Sequence, residues 1–175
     1  NLNGQTETLG QLNSTSATAT TALGAGSLTL SGPNNTNSNY AGILTGTGAS
    51  SLNIASTGKV YLSGTGSGFS GTTNVTSGTL NVTGSNTVLG SGAVNVSSGG
   101  NLQLQGGISL ANAVTINGAG TSANGAIENI SGNNTLTGGI TLGSASRIQS
   151  AAGTLALAGN ITLGANTLTV GGAGA

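Results

Sequence analysis

Aliphatic residues recur along this chain in triplets with a polar or small residue between them. Examples are Leu28-Thr29-Leu30, Leu52-Asn53-Ile54, Val60-Tyr61-Leu62, Leu80-Asn81-Val82, Val94-Asn95-Val96 and Leu102-Gln103-Leu104. More follow at Ile108-Ser109-Leu110, Val114-Thr115-Ile116, Ile140-Thr141-Leu142, Leu155-Ala156-Leu157, Ile161-Thr162-Leu163 and Leu168-Thr169-Val170. A period of two puts both aliphatics on one side of an extended backbone and the middle residue on the other. Each triplet therefore predicts a short strand with one buried face. No stretch sustains a period of 3.6, so essentially no helix is expected.

Small turn-forming residues separate the triplets, as in Ser97-Ser98-Gly99-Gly100, Gly118-Ala119-Gly120 and Ser131-Gly132-Asn133-Asn134. Asn3-Gly4, Asn117-Gly118 and Asn124-Gly125 are turn signals of the same kind. Strands start at 94, 102, 108 and 114, and again at 155, 161 and 168. This spacing is too tight for a sandwich, whose turns fall about every 8–12 residues. Three strands per turn make a coil of about 20–24 residues, the kind of fixed period that marks a solenoid. The expected fold is all-β: a parallel β-helix of about seven or eight coils, a rod about 35–40 Å long at about 4.8 Å per coil. One domain spans 1–175, with a less regular part over 1–38, a block of the most distinctive repeats over 39–104 and further coils over 105–175.

Charge changes the picture next. The 175 residues hold two basic side chains, Lys59 and Arg147, and two acidic ones, Glu7 and Glu128. Charged residues are 2% of the chain, against about a quarter in an average domain. Gly, Thr, Ser and Asn make up about three-fifths of it. Like charges stacked one coil apart would repel, whereas Thr, Ser and Asn form hydrogen-bonded ladders, so this composition suits a stack of coils. Without a basic patch, nucleic acid is excluded as a partner. With no Cys and no His, there is no disulfide framework, no thiolate site and no imidazole chemistry. No run approaches 18 apolar residues, so no membrane-spanning helix is expected. The chain opens at Asn1 without a basic, then apolar, leader, and reads as a processed product or a piece of something longer.

The stretch Asn39-Tyr40-Ala41-Gly42-Ile43-Leu44-Thr45-Gly46-Thr47-Gly48 opens a more specific pattern. It continues through Phe69-Ser70-Gly71-Thr72-Thr73-Asn74-Val75, Ser77-Gly78-Thr79-Leu80 and Leu89-Gly90-Ser91-Gly92-Ala93-Val94. This block resembles the autotransporter-associated β-strand repeat of bacterial autotransporter passenger regions. Similar segments occur at Thr6-Glu7-Thr8-Leu9-Gly10 and Gly125-Ala126-Ile127-Glu128-Asn129-Ile130-Ser131-Gly132-Asn133-Asn134-Thr135. Where such repeats carry a Lys-Thr-Gly step, this chain has Ser56-Thr57-Gly58, with Lys59 just after. The resemblance implies a right-handed parallel β-helix, exported and displayed on the bacterial surface.

The chain is poor in chemistry. Catalysis needs an activated nucleophile, a carboxylate pair or a metal. Glu7 and Glu128 stand five or six coils apart, about 25 Å, too far for a glycosidase pair. No enzyme activity is expected, and no cofactor. Calcium-binding solenoids carry Asp in each repeat, and this chain has none. Gly64-Thr65-Gly66-Ser67-Gly68 is glycine-rich like a phosphate loop, but no helix follows it and no Lys stands at the phosphate position. The pairs Thr18/Thr20, Thr45/Thr47, Thr135/Thr137 and Thr167/Thr169 suggest ice binding, yet their spacing does not rank them on one face. The sequons at Asn74, Asn81, Asn95 and Asn160 are what any Asn- and Thr-rich chain contains. Tyr40, Tyr61 and Phe69 are expected to stack or plug a corner.

The expected function is structural: an extracellular rod forming part of a bacterial surface filament, stalk or scaffold. Its expected partners are further copies or adjoining repeats, end to end. The alternative is a cell-surface adhesin whose loop binds a host receptor or glycan. The candidate loop is 31–39, holding the only proline, with Pro33, Asn34, Asn35, Asn37 and Tyr40 as candidate binding residues.

Overall fold

In the computed structural model, residues 1–32, 37–65 and 67–172 are described. The chain winds into a β-solenoid of about seven turns with about 22 residues per coil. Every strand pairing among the described residues is parallel, and the coils form three faces. The first face stacks Thr6–Leu9, Ser27–Leu30 and the segments starting at 51, 72, 94, 114, 140 and 161. The second stacks Ser38–Tyr40 and the segments starting at 60, 80, 102, 127, 148 and 170. The third holds two three-stranded sheets. One is Thr20–Ala22, Ile43–Gly46 and Gly68–Phe69; the other is Ser109–Leu110, Asn134–Leu136 and Leu155–Leu157.

The triplets do what their period demands. On the first face, Leu28, Leu52, Thr73, Val94, Val114, Ile140 and Ile161 stand in one inner column. Leu30, Ile54, Val75, Val96, Ile116 and Leu142 make the next. The second face repeats this with Val60, Leu80, Leu102, Ile127, Ile148 and Val170. Most of these aliphatics are buried completely and join in one continuous core. Full burial of a Val or Leu side chain stabilises by about 1.5–3 kcal/mol, so the stacked columns supply the main driving force.

One detail departs from three short strands per coil. The first and second faces are often joined by one long, bent strand: Ser51–Leu62, Thr72–Val82, Val94–Gln105 and Ile140–Ser150. The bend is made by register shifts after Ile54 and Val75, where the chain turns a corner without leaving extended backbone. Ser56 is buried in that corner and donates from Oγ to the Gly32 carbonyl at 3.1 Å. Ser27–Leu30 already pairs in register with 51–54, so the regular columns begin ahead of residue 39.

Corners are where coils come closest. A Cβ added to Gly64 would overlap the Gly42 carbonyl oxygen, and one on Gly92 would overlap that of Gly71. Phe69 and Tyr40 are packed into the interior, at 1% and 3% exposed, whereas Tyr61, expected to pack like them, faces outward and is half-buried. The only described helix is a single 3-10 turn, Thr121–Ala123. Among the described residues, no helix is long and apolar enough to cross a membrane.

Candidate functional site

Outward-facing residues on the first face also fall into a column: Thr8, Thr29, Asn53, Asn74, Asn95, Thr115, Thr141 and Thr162. Its centre is an asparagine ladder. Asn95 Nδ2 donates to Asn74 Oδ1 at 2.9 Å, Asn74 Nδ2 to Asn53 Oδ1 at 2.8 Å, and Asn53 Nδ2 to Ser27 Oγ at 2.9 Å. Each amide spends its donor on the coil before it, so this column is bound to itself. Asn74→Ala is expected to cost about 1 kcal/mol, the worth of a half-exposed hydrogen bond, read as a lower urea midpoint. Asn74→Thr, able to bond along the column, is expected to cost less.

The ladder also answers two readings of the sequence. The Thr pairs do not rank: Thr45 stands between Ala22 and Gly68, and Thr135 between Ser109 and Ala156. Of the four sequons, Asn74 and Asn95 are rungs of the ladder and Asn81 is 1% exposed, while Asn160 is open to solvent.

The second face is different. Its outer side carries two polar columns flanking the inner aliphatic one. The residues in line before that column are Asn37, Lys59, Thr79, Asn101, Ala126, Arg147 and Thr169; those after it are Asn39, Tyr61, Asn81, Gln103, Glu128, Gln149 and Gly171. Three of the four charged side chains thus gather here. Gln103 Nε2 donates to Glu128 Oε2 at 2.8 Å, and Arg147 Nη2 to Gln149 Oε1 at 2.8 Å. Glu7 lies elsewhere, on the first strand of the first face.

Part of this polar face is covered by an excursion of the chain. Val94 pairs with Val114, 20 residues on, but Val114 pairs with Ile140, 26 residues on. The extra length forms a flap over 118–125, centred on the 3-10 turn and packed against the long strands Thr72–Val82 and Val94–Gln105. Its base is closed by Gly125 N–H donating to the Ala119 carbonyl at 2.7 Å, and pinned by Asn101 Nδ2 on the Gly125 carbonyl at 2.6 Å. Ser122 and Ala123, neither a glycine, have φ of 53° and 59°.

The flap separates two clefts. One, of about 430 Å³, is lined by Asn37, Lys59, Tyr61, Thr79, Gln103 and Ser122, among others. The other, of about 330 Å³, includes Arg147, Ser146, Thr167 and Thr169. Two residues in register with Gln103 and Thr79 of the first cleft are under-satisfied. Asn81 Oδ1 and Asn101 Oδ1 are buried with no hydrogen-bond partner among the described residues.

Of the candidate binding residues on loop 31–39, Pro33, Asn34 and Asn35 lie outside the described residues. Tyr40 belongs to the core: its hydroxyl lies within hydrogen-bond distance of the carbonyls of Ile43 and Ala19, at 3.1 and 3.2 Å. Its ring is therefore not offered to a partner. Asn37 is exposed on the cleft rim, where its Oδ1 accepts the Lys59 backbone N–H at 2.9 Å. Tyr61, half-buried on the outer side of the second face, is the aromatic the cleft presents, and sequence reasoning did not single it out as a site residue. The signal was there, because Tyr61 is the middle member of a triplet and so faces outward.

Among the described residues no three of His, Cys, Asp and Glu come together to hold a metal. Comparison with protein-family models, with curated proteins and with solved structures finds no match to this chain.

Proposed function

We propose that this chain is a segment of a structural rod, an extracellular β-solenoid in a bacterial surface filament, stalk or scaffold, extended by stacking coil on coil. The observation that carries this reading is the unbroken stack of aliphatic columns, which stays apolar through the last described coil. Ile161, Leu163 and Val170 are 36%, 42% and 69% exposed, and Leu155, Leu157 and Leu168 are only half covered. The strand Leu168–Gly172 has its one described partner in Ile140–Ser150. An open strand edge with apolar columns behind it templates another rung. At the other end Thr6–Leu9 pairs with Ser27–Leu30, and Leu9 is 39% exposed. The resemblance of 39–104 to surface repeats supports the location, and the scarcity of charge suits unbroken stacking.

Glu7 tunes this contact. It pairs with Leu28 in an inner column, so a coil laid on that end would desolvate its carboxylate. Sedimentation velocity and negative-stain microscopy over a concentration series test the reading. Rods joined end to end are expected, weakened by Val170→Asp with Leu163→Asp and strengthened by Glu7→Leu. Single rods at every concentration, unchanged by these variants, would rule end-to-end stacking out.

A further inference from the structure

The cleft that the flap walls beside Lys59 and Tyr61 lies on the flank of the solenoid, away from either end, so what it does is independent of how rods join. Its lining is unusual for this chain. It gathers Lys59, one of only two cations, with Tyr61, one of only three aromatics. Around them stand two amides, Asn37 and Gln103, and two hydroxyls, Thr79 and Ser122. No Leu, Ile or Val is among its described lining residues. Its volume of about 430 Å³ falls in the range of about 300–1,000 Å³ usual for small-molecule clefts.

Three further observations point to a ligand. First, Thr79 and Gln103 of the lining pair in register with Asn101 and Asn81, whose buried amide oxygens no described group satisfies. Such groups cost free energy and call for a reason. Second, the wall is a flap held in a strained shape by two successive non-glycine residues at positive φ. Strain of that kind concentrates at ligand clamps. Third, the nearby carboxylate of Glu128 is taken up by Gln103 and is 6% exposed, which leaves Lys59 as the cleft's one charge.

We propose that this cleft binds a glycan carrying a single carboxylate. The Lys59 ammonium pairs with the carboxylate. The Tyr61 ring packs on the apolar face of a sugar ring, and the Asn37 amide and the Thr79 and Ser122 hydroxyls meet the sugar hydroxyls. The alternatives fit less well. A peptide needs apolar pockets or a free strand edge, and the cleft offers neither. A nucleic acid needs a row of cations to neutralise its phosphates, and here there is one.

The test is an NMR titration of the whole chain with 3′-sialyllactose, using neutral lactose as its matched control. Amide shifts confined to the neighbourhood of Lys59, Tyr61, Thr79 and Ser122 are expected, with a Kd of about 1 mM for one small charged site. Lactose is expected to bind about tenfold more weakly, the share of one charge-assisted hydrogen bond. Lys59→Ala and Tyr61→Ala should each weaken sialyllactose about tenfold, while Tyr61→Phe keeps the ring and retains binding. Val170→Asp, at the far end, should change nothing. Both cleft side chains are half exposed, so the variants are expected to keep the dispersed spectrum of the folded rod. No shifts with sialyllactose, equal binding of lactose, shifts elsewhere on the rod, or indifference to Lys59→Ala would each overturn the proposal.

Discussion

Asn134→Ala is expected to lower stability by about 3 to 5 kcal/mol, the larger part of what many domains possess. Asn134 is 1% exposed, and its side chain ties its own coil to the one before it. Its Oδ1 accepts the backbone N–H groups of Gly107 and Ile108 at 2.9 and 2.8 Å. Its Nδ2 donates to the Ser131 carbonyl at 2.9 Å and to Asn129 Oδ1. Asn129, fully buried, in turn donates to Ser150 Oγ at 3.0 Å and to the Ala152 carbonyl at 2.8 Å. Removing the Asn134 amide orphans at least the Ile108 N–H and the Asn129 oxygen, at about 1–3 kcal/mol each, and leaves a small void. The urea midpoint should fall by about 2 M if the unfolding slope is near 2 kcal/mol/M. In a solenoid the damage is local at first, so amide exchange should quicken from 107 to 136 before the coils near the N-terminus respond. Asn134→Asp separates the amide's two roles. It keeps the acceptors but turns oxygen toward Asn129 Oδ1 and the Ser131 carbonyl, and should destabilise about as much. A variant as stable as the parent would show that this network is not holding the coils.

The second large effect is expected at a corner. Gly90 has φ +65°, and a Cβ there would overlap the Phe69 carbonyl oxygen one coil below. That carbonyl already accepts the Ser91 N–H at 2.9 Å, and Phe69 is fixed in the core at 1% exposed. On the other side, Asn112 Nδ2 reaches the Gly90 carbonyl at 3.1 Å. The coil is pinned from both sides and cannot slide away from an added methyl. Left-handed backbone costs a non-glycine residue about 1–2 kcal/mol and overpacking about 1–3, so Gly90→Ala should cost about 2–5 kcal/mol. Gly48→Ala is the control. No atom lies within 4 Å of its added Cβ, and its thermal midpoint should move little, the change staying within about 0.5 kcal/mol. Equal midpoints for the two variants would mean that corner spacing is not what limits the fold.

Much of the architecture can be read from period and spacing alone. The triplets assign Leu80 and Val82 inward and Asn81 outward without further knowledge, and the 20–24-residue recurrence stacks them. What spacing does not tell is how neighbouring triplets join. Leu52-Asn53-Ile54 and Val60-Tyr61-Leu62 lie on one twelve-residue strand because the corner between them keeps extended backbone, a matter of register shift rather than residue type. The burial of Tyr40 escapes the triplet pattern for a related reason. It belongs to no aliphatic triplet, yet Tyr40, Leu62, Val82 and Leu104 share one inner column, so its neighbours along the rod bury it, not those along the chain. The flap had a visible trace: Asn117-Gly118 and Asn124-Gly125 put two turn signals into one coil, and that coil is 26 residues long by its register. That this excursion folds back over Gln103 and Thr79 depends on the third dimension, and so did the cleft it walls.

The ladder bonds between coils all run along the rod's long axis, and this decides how it meets tension. A pull on the two ends does not shear many bonds together; it opens them one rung at a time, beginning at the end coil. Each coil of about 22 residues occupies about 4.8 Å of the rod but extends to about 75 Å once released. A strained rod of this kind pays out slack of about 70 Å per coil, and its aliphatic columns can rewind the coil when the load drops. The same geometry that stacks the coils makes the rod extensible.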